Sequence, residues 1–202
     1  MRRVPIPLVW LAGAVPLALL VADTLGNRLG ADPVVAIEHR LGRTALYFII
    51  ASLTITPLMR LGRINLIRYR RALGLLGFSY ALLHVAAWVV LDMGLLWGQI
   101  LRDVVKRPYL IVGMAAFLIL LAMAATSSDS AIRRLGARRW KTLHRAIYAG
   151  VLLGILHWLW AYKLWPDKAV GIGVGVVVIL ALRLPAVDQR LRALRNKSFD
   201  IN

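Results

Sequence analysis

The sequence predicts an all-α integral membrane protein: a six-transmembrane-helix bundle with both termini cytoplasmic. Three observations carry this reading. Sixty percent of the 202 residues are hydrophobic and the mean hydropathy is +0.70, against roughly 45–50% apolar residues in an ordinary soluble domain. The apolar residues fall in blocks close to the ~20 residues that a helix needs to cross a hydrocarbon core. The basic residues behind the net charge of +17 stand at the ends of those blocks. A nucleic-acid-binding domain gathers its Lys and Arg on one folded polar surface, so here the charge reads as membrane topology.

The blocks cover residues 5–21, 44–59, 72–91, 109–125, 143–161 and 169–184. The first carries Pro16, which should kink the helix or end it early. Arg2 and Arg3 ahead of this block also suit a cleaved signal peptide, but Leu20-Val-Ala-Asp23 offers no A-x-A cleavage site, so a retained helix is expected. No internal repeat, low-complexity segment or long linker appears, so residues 1–202 read as one domain. Orientation follows from Lys and Arg. The N-terminus, the loops 60–71 and 133–145 and the tail from Arg183 hold 18 of the 26, and the other three loops hold 8. The first set is therefore cytoplasmic. Trp88, Trp97, Trp158, Trp160 and Trp165 fall near the outer helix ends, as an interfacial aromatic belt would place them, and Trp140 near the inner one.

The chain has no cysteine. Disulfides, iron–sulfur clusters, thiolate zinc sites and covalent c-type haem are thereby excluded. A redox centre would have to use His, Met, Tyr or carboxylates. Four histidines are present: His39, His84, His144 and His157. An ionisable residue at membrane depth is a functional-site hypothesis by default. At a rise of about 1.5 Å per residue, His84 lies roughly 12 Å from the outer boundary at Asp92, and His157 roughly 9 Å from that at Lys163. Two outward-running helices thus present imidazoles at similar height, and a haem clamped between them is the arrangement this suggests. One membrane histidine alone is more often an interhelical hydrogen-bonding residue. The matched pair, with no acidic residue inside helices two to six, tips the balance toward haem.

His144 precedes His157 by 13 residues, a rotation of about 220° on a straight helix. It reads equally as a second ligand or as an interfacial polar residue. At its depth the third helix offers Arg70 and Arg71, which could pair with haem propionates or an anionic cofactor. His39, beside Glu38, reads as a solvated outer-loop residue. The glycines from Gly171 to Gly175 resemble a phosphate loop but lie inside an apolar helix with no preceding strand, which favours helix packing. The basic tail Arg190–Lys197 reads as a solvated face near anionic lipid. A proton-coupled transporter using buried histidines is the rival reading. It predicts broken helices and carboxylates facing the imidazoles.

Several segments together resemble a known family. They are Gly42-Arg-Thr-Ala-Leu46, Thr56-Pro-Leu58, the run Arg70 to His84 (RRALGLLGFSYALLH), Arg107-Pro-Tyr109, Arg139-Trp-Lys-Thr-Leu-His144 with Tyr148, and His157-Trp-Leu-Trp160. The chain resembles the haem-binding membrane subunits of bacterial methionine sulfoxide reductase systems (MsrQ), within the ferric-reductase-like transmembrane superfamily that includes NADPH oxidases. The resemblance implies that His84, His157 and His144 are haem-associated, with one haem b and room for a second. It implies FMN as a further cofactor and the bacterial inner (plasma) membrane as location. It implies as partner a periplasmic molybdenum-cofactor reductase that repairs oxidised methionines. Electrons would come from the quinone pool or a cytoplasmic flavin reductase. Arginine stands where NADPH oxidases have the inner histidine of the third helix. Only 18 residues follow the sixth helix, too few for a βαβ nucleotide-binding domain, so a donor is expected. The loop Asp92–Pro108 is the expected docking surface.

Overall fold

The computed structural model describes residues 4–62 and 64–184; Arg2, Arg3 and the tail Arg190–Lys197 lie outside them. Among the described residues all regular structure is helical: α1 (Ile6–Leu25), α2 (Pro33–Gly62), α3 (Arg70–Ala87), α4 (Trp97–Lys106), α5 (Pro108–Ala125), α6 (Asp129–Leu135), α7 (Ala137–His144), α8 (Ile147–Trp160) and α9 (Asp167–Ala181). A short 3₁₀ turn, Ile67–Tyr69, leads into α3, and a π turn, Trp88–Asp92, extends it. Four helices are long and apolar enough to cross a membrane: α1, α2, α3 with its two flanking turns, and α5. Most apolar side chains of α1 are exposed, as a lipid-facing helix requires, whereas α2, α3 and α5 each bury part of their apolar surface against the protein and expose part of it. The chain is an integral membrane protein.

α2 packs along α3, and α5 along α8; α9 closes on α8 and α2. The core between them is built from Leu46, Ile49 and Leu53 of α2, Leu120 of α5, Ile147, Val151 and Ile155 of α8, and Val176 of α9. α1 lies outside this core, against α3 and α2. It does not end at Pro16. The proline removes one backbone donor, and the next step of the ladder opens around a side chain. The Tyr80 hydroxyl accepts from the Leu17 N–H at 3.0 Å and donates to the Gly13 carbonyl at 2.7 Å. A side chain inserted there is a recognised cause of a helix bend, and it ties α1 to α3. Gly13 gives α3 its close approach, since a Cβ would meet the Leu76 side chain at 2.5–2.6 Å.

Two expected helices are placed differently. The second begins at Pro33, not at residue 44, and runs for 30 residues. Glu38, His39, Arg40 and Arg43 are thus helical rather than part of an outer loop. Hydropathy misses this because the polar side chains have protein partners: Arg40 pairs with Asp23 of α1, and the other three line a cavity. The fifth block, 143–161, is broken at Arg145–Ala146, so His144 ends α7 and His157 belongs to α8. The hydrophilic connection before it is helical too. Ser128 caps α6 by accepting from the Ala131 N–H at 3.1 Å, a standard N-cap, and Gly136, at φ +75°, turns the chain into α7. The segment between α3 and α5 holds α4, whose Trp97, Leu101 and Val105 are exposed.

Candidate functional site

A cavity of about 420 Å³ opens between α2, α3, α5 and α8, within the range of small-molecule and cofactor sites. Its walls are chiefly apolar. Its mouth carries Glu38, His39, Arg43, Asp92, Arg107 and Tyr162. His84 from α3 and His157 from α8 meet inside it, with ring centroids 6.2 Å apart and planes at 71°.

Each imidazole is fixed by a backbone carbonyl of the neighbouring helix. His84 Nδ1 lies 2.9 Å from the Glu38 carbonyl oxygen, and His157 Nδ1 lies 2.7 Å from that of Tyr109. A carbonyl only accepts, so in both rings the proton sits on Nδ1. Nε2 keeps its lone pair, the form in which imidazole binds a metal, and the carbonyl orients the ring. Among the described residues neither Nε2 makes a hydrogen bond.

Glycine makes both approaches possible. A Cβ on Gly113 would meet His157 Nδ1 at 2.6 Å, and one on Gly42 would meet His84 Nδ1 at 3.3 Å. Each glycine lies one helical turn beyond its carbonyl, on the same face. The ring therefore rests on bare backbone. Two imidazoles on opposite sides of one metal, with nitrogens about 2.0–2.1 Å from it, put ring centres roughly 6 Å apart. The observed separation fits one iron between two histidines.

The walls follow a repeated pattern of positions. On α2, Glu38, Gly42, Ala45, Leu46 and Ile49 line the cavity, and 71 residues on, so do Tyr109, Gly113, Ala116, Phe117 and Leu120 of α5. On α3, Ala81, His84, Val85 and Trp88 are matched 73 residues on by Gly154, His157, Trp158 and Ala161. No repeat was expected. One exists: three of the nine matched pairs, Gly42/Gly113, Ala45/Ala116 and His84/His157, are identical, and the other six differ in residue type.

Other expected placements change as well. His39 is half-buried at the mouth, with its Nδ1 3.1 Å from the Tyr162 hydroxyl, and is not a solvated loop residue. Glu38 projects a buried Oε1 that has no hydrogen-bond partner. The carboxylate absent from the sequence reading of the bundle is therefore present beside the imidazoles. Trp88 and Trp158 line the cavity; Trp97, Trp160 and Trp165 are exposed. Arg107 donates to the Tyr109 hydroxyl at 3.2 Å and pairs with Asp103. The Tyr109 contact chiefly raises its pKa above the ordinary arginine value.

His144, Arg70 and Arg71 do not line this cavity. His144 stacks on Trp140, with centroids 4.0 Å apart and planes at 26°, and its Nδ1 donates to the Trp140 carbonyl at 3.2 Å. Arg71 is paired with Asp129 at 2.7 Å. Arg70 lies within electrostatic reach of His144. Sequence reasoning missed Gly113 and the carbonyls of Glu38 and Tyr109. Only the shared four-residue step from carbonyl to glycine could have signalled them.

Residues 41–155 match the family described as "Ferric reductase like transmembrane component". Among curated proteins, the chain is similar to three called "Protein-methionine-sulfoxide reductase heme-binding subunit MsrQ", from Brucella ovis, Brucella canis and Brucella suis. Each is 42% identical over 190 residues, covering 93% of this chain and 86% of the relative. No solved structure matches significantly.

Proposed function

We propose, for a chain that belongs to the ferric-reductase-like transmembrane family and within it to the MsrQ subunits, that it relays electrons across the bacterial inner membrane to a periplasmic methionine sulfoxide reductase. The observation that carries this is the His84–His157 pair, 6.2 Å between centroids, with both Nδ1 atoms tied to backbone carbonyls. His84 and His157 would hold one haem b by their Nε2 atoms. That group supplies one-electron Fe(III)/Fe(II) chemistry when bound.

The remaining work falls to the chain. The Glu38 and Tyr109 carbonyls hold the tautomer and ring direction. Gly42 and Gly113 let the rings sit close to α2 and α5. Leu46, Phe117 and Leu120 exclude water from the wall, and Arg43 and Arg107 offer cations to acidic groups at the mouth. In this reading α8 and α9 are the fifth and sixth spans and both termini are cytoplasmic. The mouth then faces the periplasm, where a molybdenum-cofactor reductase would dock near α4. Quinone or a cytoplasmic flavin reductase would be the donor, with FMN as a further cofactor. His144, Arg70 and Arg71 mark where a second, inner haem would be held.

One observation favours the transporter reading: the buried, unpartnered Glu38 Oε1 beside two imidazoles. The family membership weighs against it. An optical spectrum of the purified full chain decides. A reducible b-type spectrum is expected; a folded but colourless preparation would overturn the electron-relay reading.

A further inference from the structure

We propose that α4 is an interfacial helix: its exposed stripe of Trp97, Leu101 and Val105 sits in the membrane surface, with Arg102 and Lys106 beside the lipid headgroups. The occupant of the stripe is lipid, not protein. The inference does not rest on the electron-relay reading, only on the chain being an integral membrane protein.

The residues of α4 sort into three sectors around its axis. Ile100 and Val104 form the covered sector: Ile100 is buried, and it clusters with Val104, Trp88, Met93, Leu110 and Met114. Trp97, Leu101 and Val105 come next, within about 80° of one another, and they are 64%, 68% and 76% exposed. Arg102 and Lys106, both exposed, open the polar sector with Gln99. The apolar arc is thus wider than the protein covers. An apolar arc that carries tryptophan and is bordered by cations is the pattern of a helix lying between headgroups and acyl chains.

The chain keeps this helix at the membrane boundary. Residues 93–96 separate it from the end of the α3 span at Asp92, and Arg107 alone separates it from α5. The first of these connections is a tight turn, in which the Leu95 N–H donates to the Val89 carbonyl at 3.0 Å and the Leu96 N–H to that of Met93 at 3.1 Å. A helix of ten residues, roughly 15 Å long and tied at both ends, cannot stand clear of the bilayer. Exposed apolar side chains also continue the stripe on both sides: Val90, Leu91, Leu95 and Leu96 before it and Ile111 after it. Val90, Leu91 and Ile111 belong to membrane spans. Leu95 adds a separate observation. It is half-exposed in the left-handed region, at φ +62°, a conformation usually left to Gly, Asn or Asp. In water such a turn favours a polar residue; against acyl chains a leucine is in place.

The stripe bears on the cavity as well. Arg107 pairs back to Asp103 of α4 at 3.2 Å and lines the mouth, so lipid contact along α4 steadies that wall. A soluble partner near α4 would meet its polar residues, not the stripe.

The chain has no cysteine, so single cysteines can be spin-labelled in the full protein, reconstituted in vesicles of phosphatidylglycerol and phosphatidylcholine. Labels at Leu101→Cys and Val105→Cys are expected about 5–10 Å into the headgroup–acyl boundary, open to oxygen and shielded from a water-soluble nickel chelate. Gln99→Cys should show the reverse. Trp97 gives a second measurement on a native side chain: Trp97→Phe should remove emission that brominated lipid quenches and aqueous iodide does not. All four positions are exposed, so none of these changes disturbs the core. Labels at 101 and 105 as open to the nickel chelate as the one at 99 would overturn the proposal and leave the stripe to a soluble partner. Shielding from both probes would overturn it in favour of a second copy of the chain.

Discussion

In the α2–α3 unit the Glu38 carbonyl holds the His84 ring, and Gly42 lies one turn further on. In the α5–α8 unit the Tyr109 carbonyl holds His157, and Gly113 lies one turn further on. Each unit contributes one imidazole and one wall tryptophan. Where the two halves agree, they agree on atoms the site cannot do without: a carbonyl, a missing Cβ and a ring nitrogen. Where they differ, they differ at the mouth. Positions 38, 39 and 43 are Glu, His and Arg; their counterparts are Tyr109, Leu110 and Met114. One half supplies charge and the other supplies surface.

If the halves are equal partners in holding one group, removing either imidazole should remove it. His84→Ala and His157→Ala are each expected to abolish the outer-haem signal in a reduced-minus-oxidised spectrum, with the protein still folded by circular dichroism. A single neutral imidazole left in an apolar wall costs little. Full haem retention in both variants would sink the equal-partner account.

The glycines sharpen the comparison, because the two contacts are unequal in tightness. Gly113→Ala would drive a Cβ to 2.6 Å from the His157 ring, and Gly42→Ala to 3.3 Å from the His84 ring. The first must displace a ring held by a short hydrogen bond, and overpacking of this kind costs about 1–3 kcal/mol. Gly113→Ala should therefore lower haem occupancy and melting temperature clearly, and Gly42→Ala by much less. Equal effects would mean that the α2–α3 half is as tight as the α5–α8 half.

Much of this was legible from composition. Apolar blocks mark the membrane helices, and rise per residue brings His84 and His157 to one level. What stayed hidden has a common cause. Hydropathy reads a helix by its lipid-facing side, so the first turns of α2, with Glu38, His39 and Arg43 directed at a cavity, passed for loop. The repeat stayed hidden because six of its nine matched positions carry unlike residues, Trp88 standing opposite Ala161 and Val85 opposite Trp158, and the identical ones are isolated: Gly42/Gly113, Ala45/Ala116 and His84/His157. Each half holds one tryptophan, at a different step. Gly113 sits in an apolar run where glycine usually reports helix packing, and only the position of His157 distinguishes it.

Making the mouth alike in both halves gives a smaller effect. Arg43→Met copies Met114 into the α2 half and removes a positive charge from the cavity. The reduced state of an adjacent centre loses stabilisation, so its midpoint potential should fall, on the order of tens of millivolts for one partly solvated charge. A redox titration of the purified chain measures this. An unchanged potential would mean that Arg43 is compensated by another group at the mouth, and a rise would contradict the assignment.

The inner end is where the comparison breaks down, and it yields the smallest expected change at the outer centre. Counting 73 residues back from His144 reaches Arg71, so the inner histidine of one half has an arginine as its counterpart. The break at Arg145–Ala146 also detaches His144 from the helix that carries His157. Its ring is held by Trp140 rather than aimed into the cavity. His144→Ala should therefore leave the outer spectrum unchanged and cost about 1 kcal/mol, the scale of one aromatic pair, seen as a small drop in melting temperature. Loss of half the total haem absorbance with the outer signal intact would place a second haem at this end, with arginine where symmetry would supply a histidine. Loss of all of it would mean that the two ends are not separate sites.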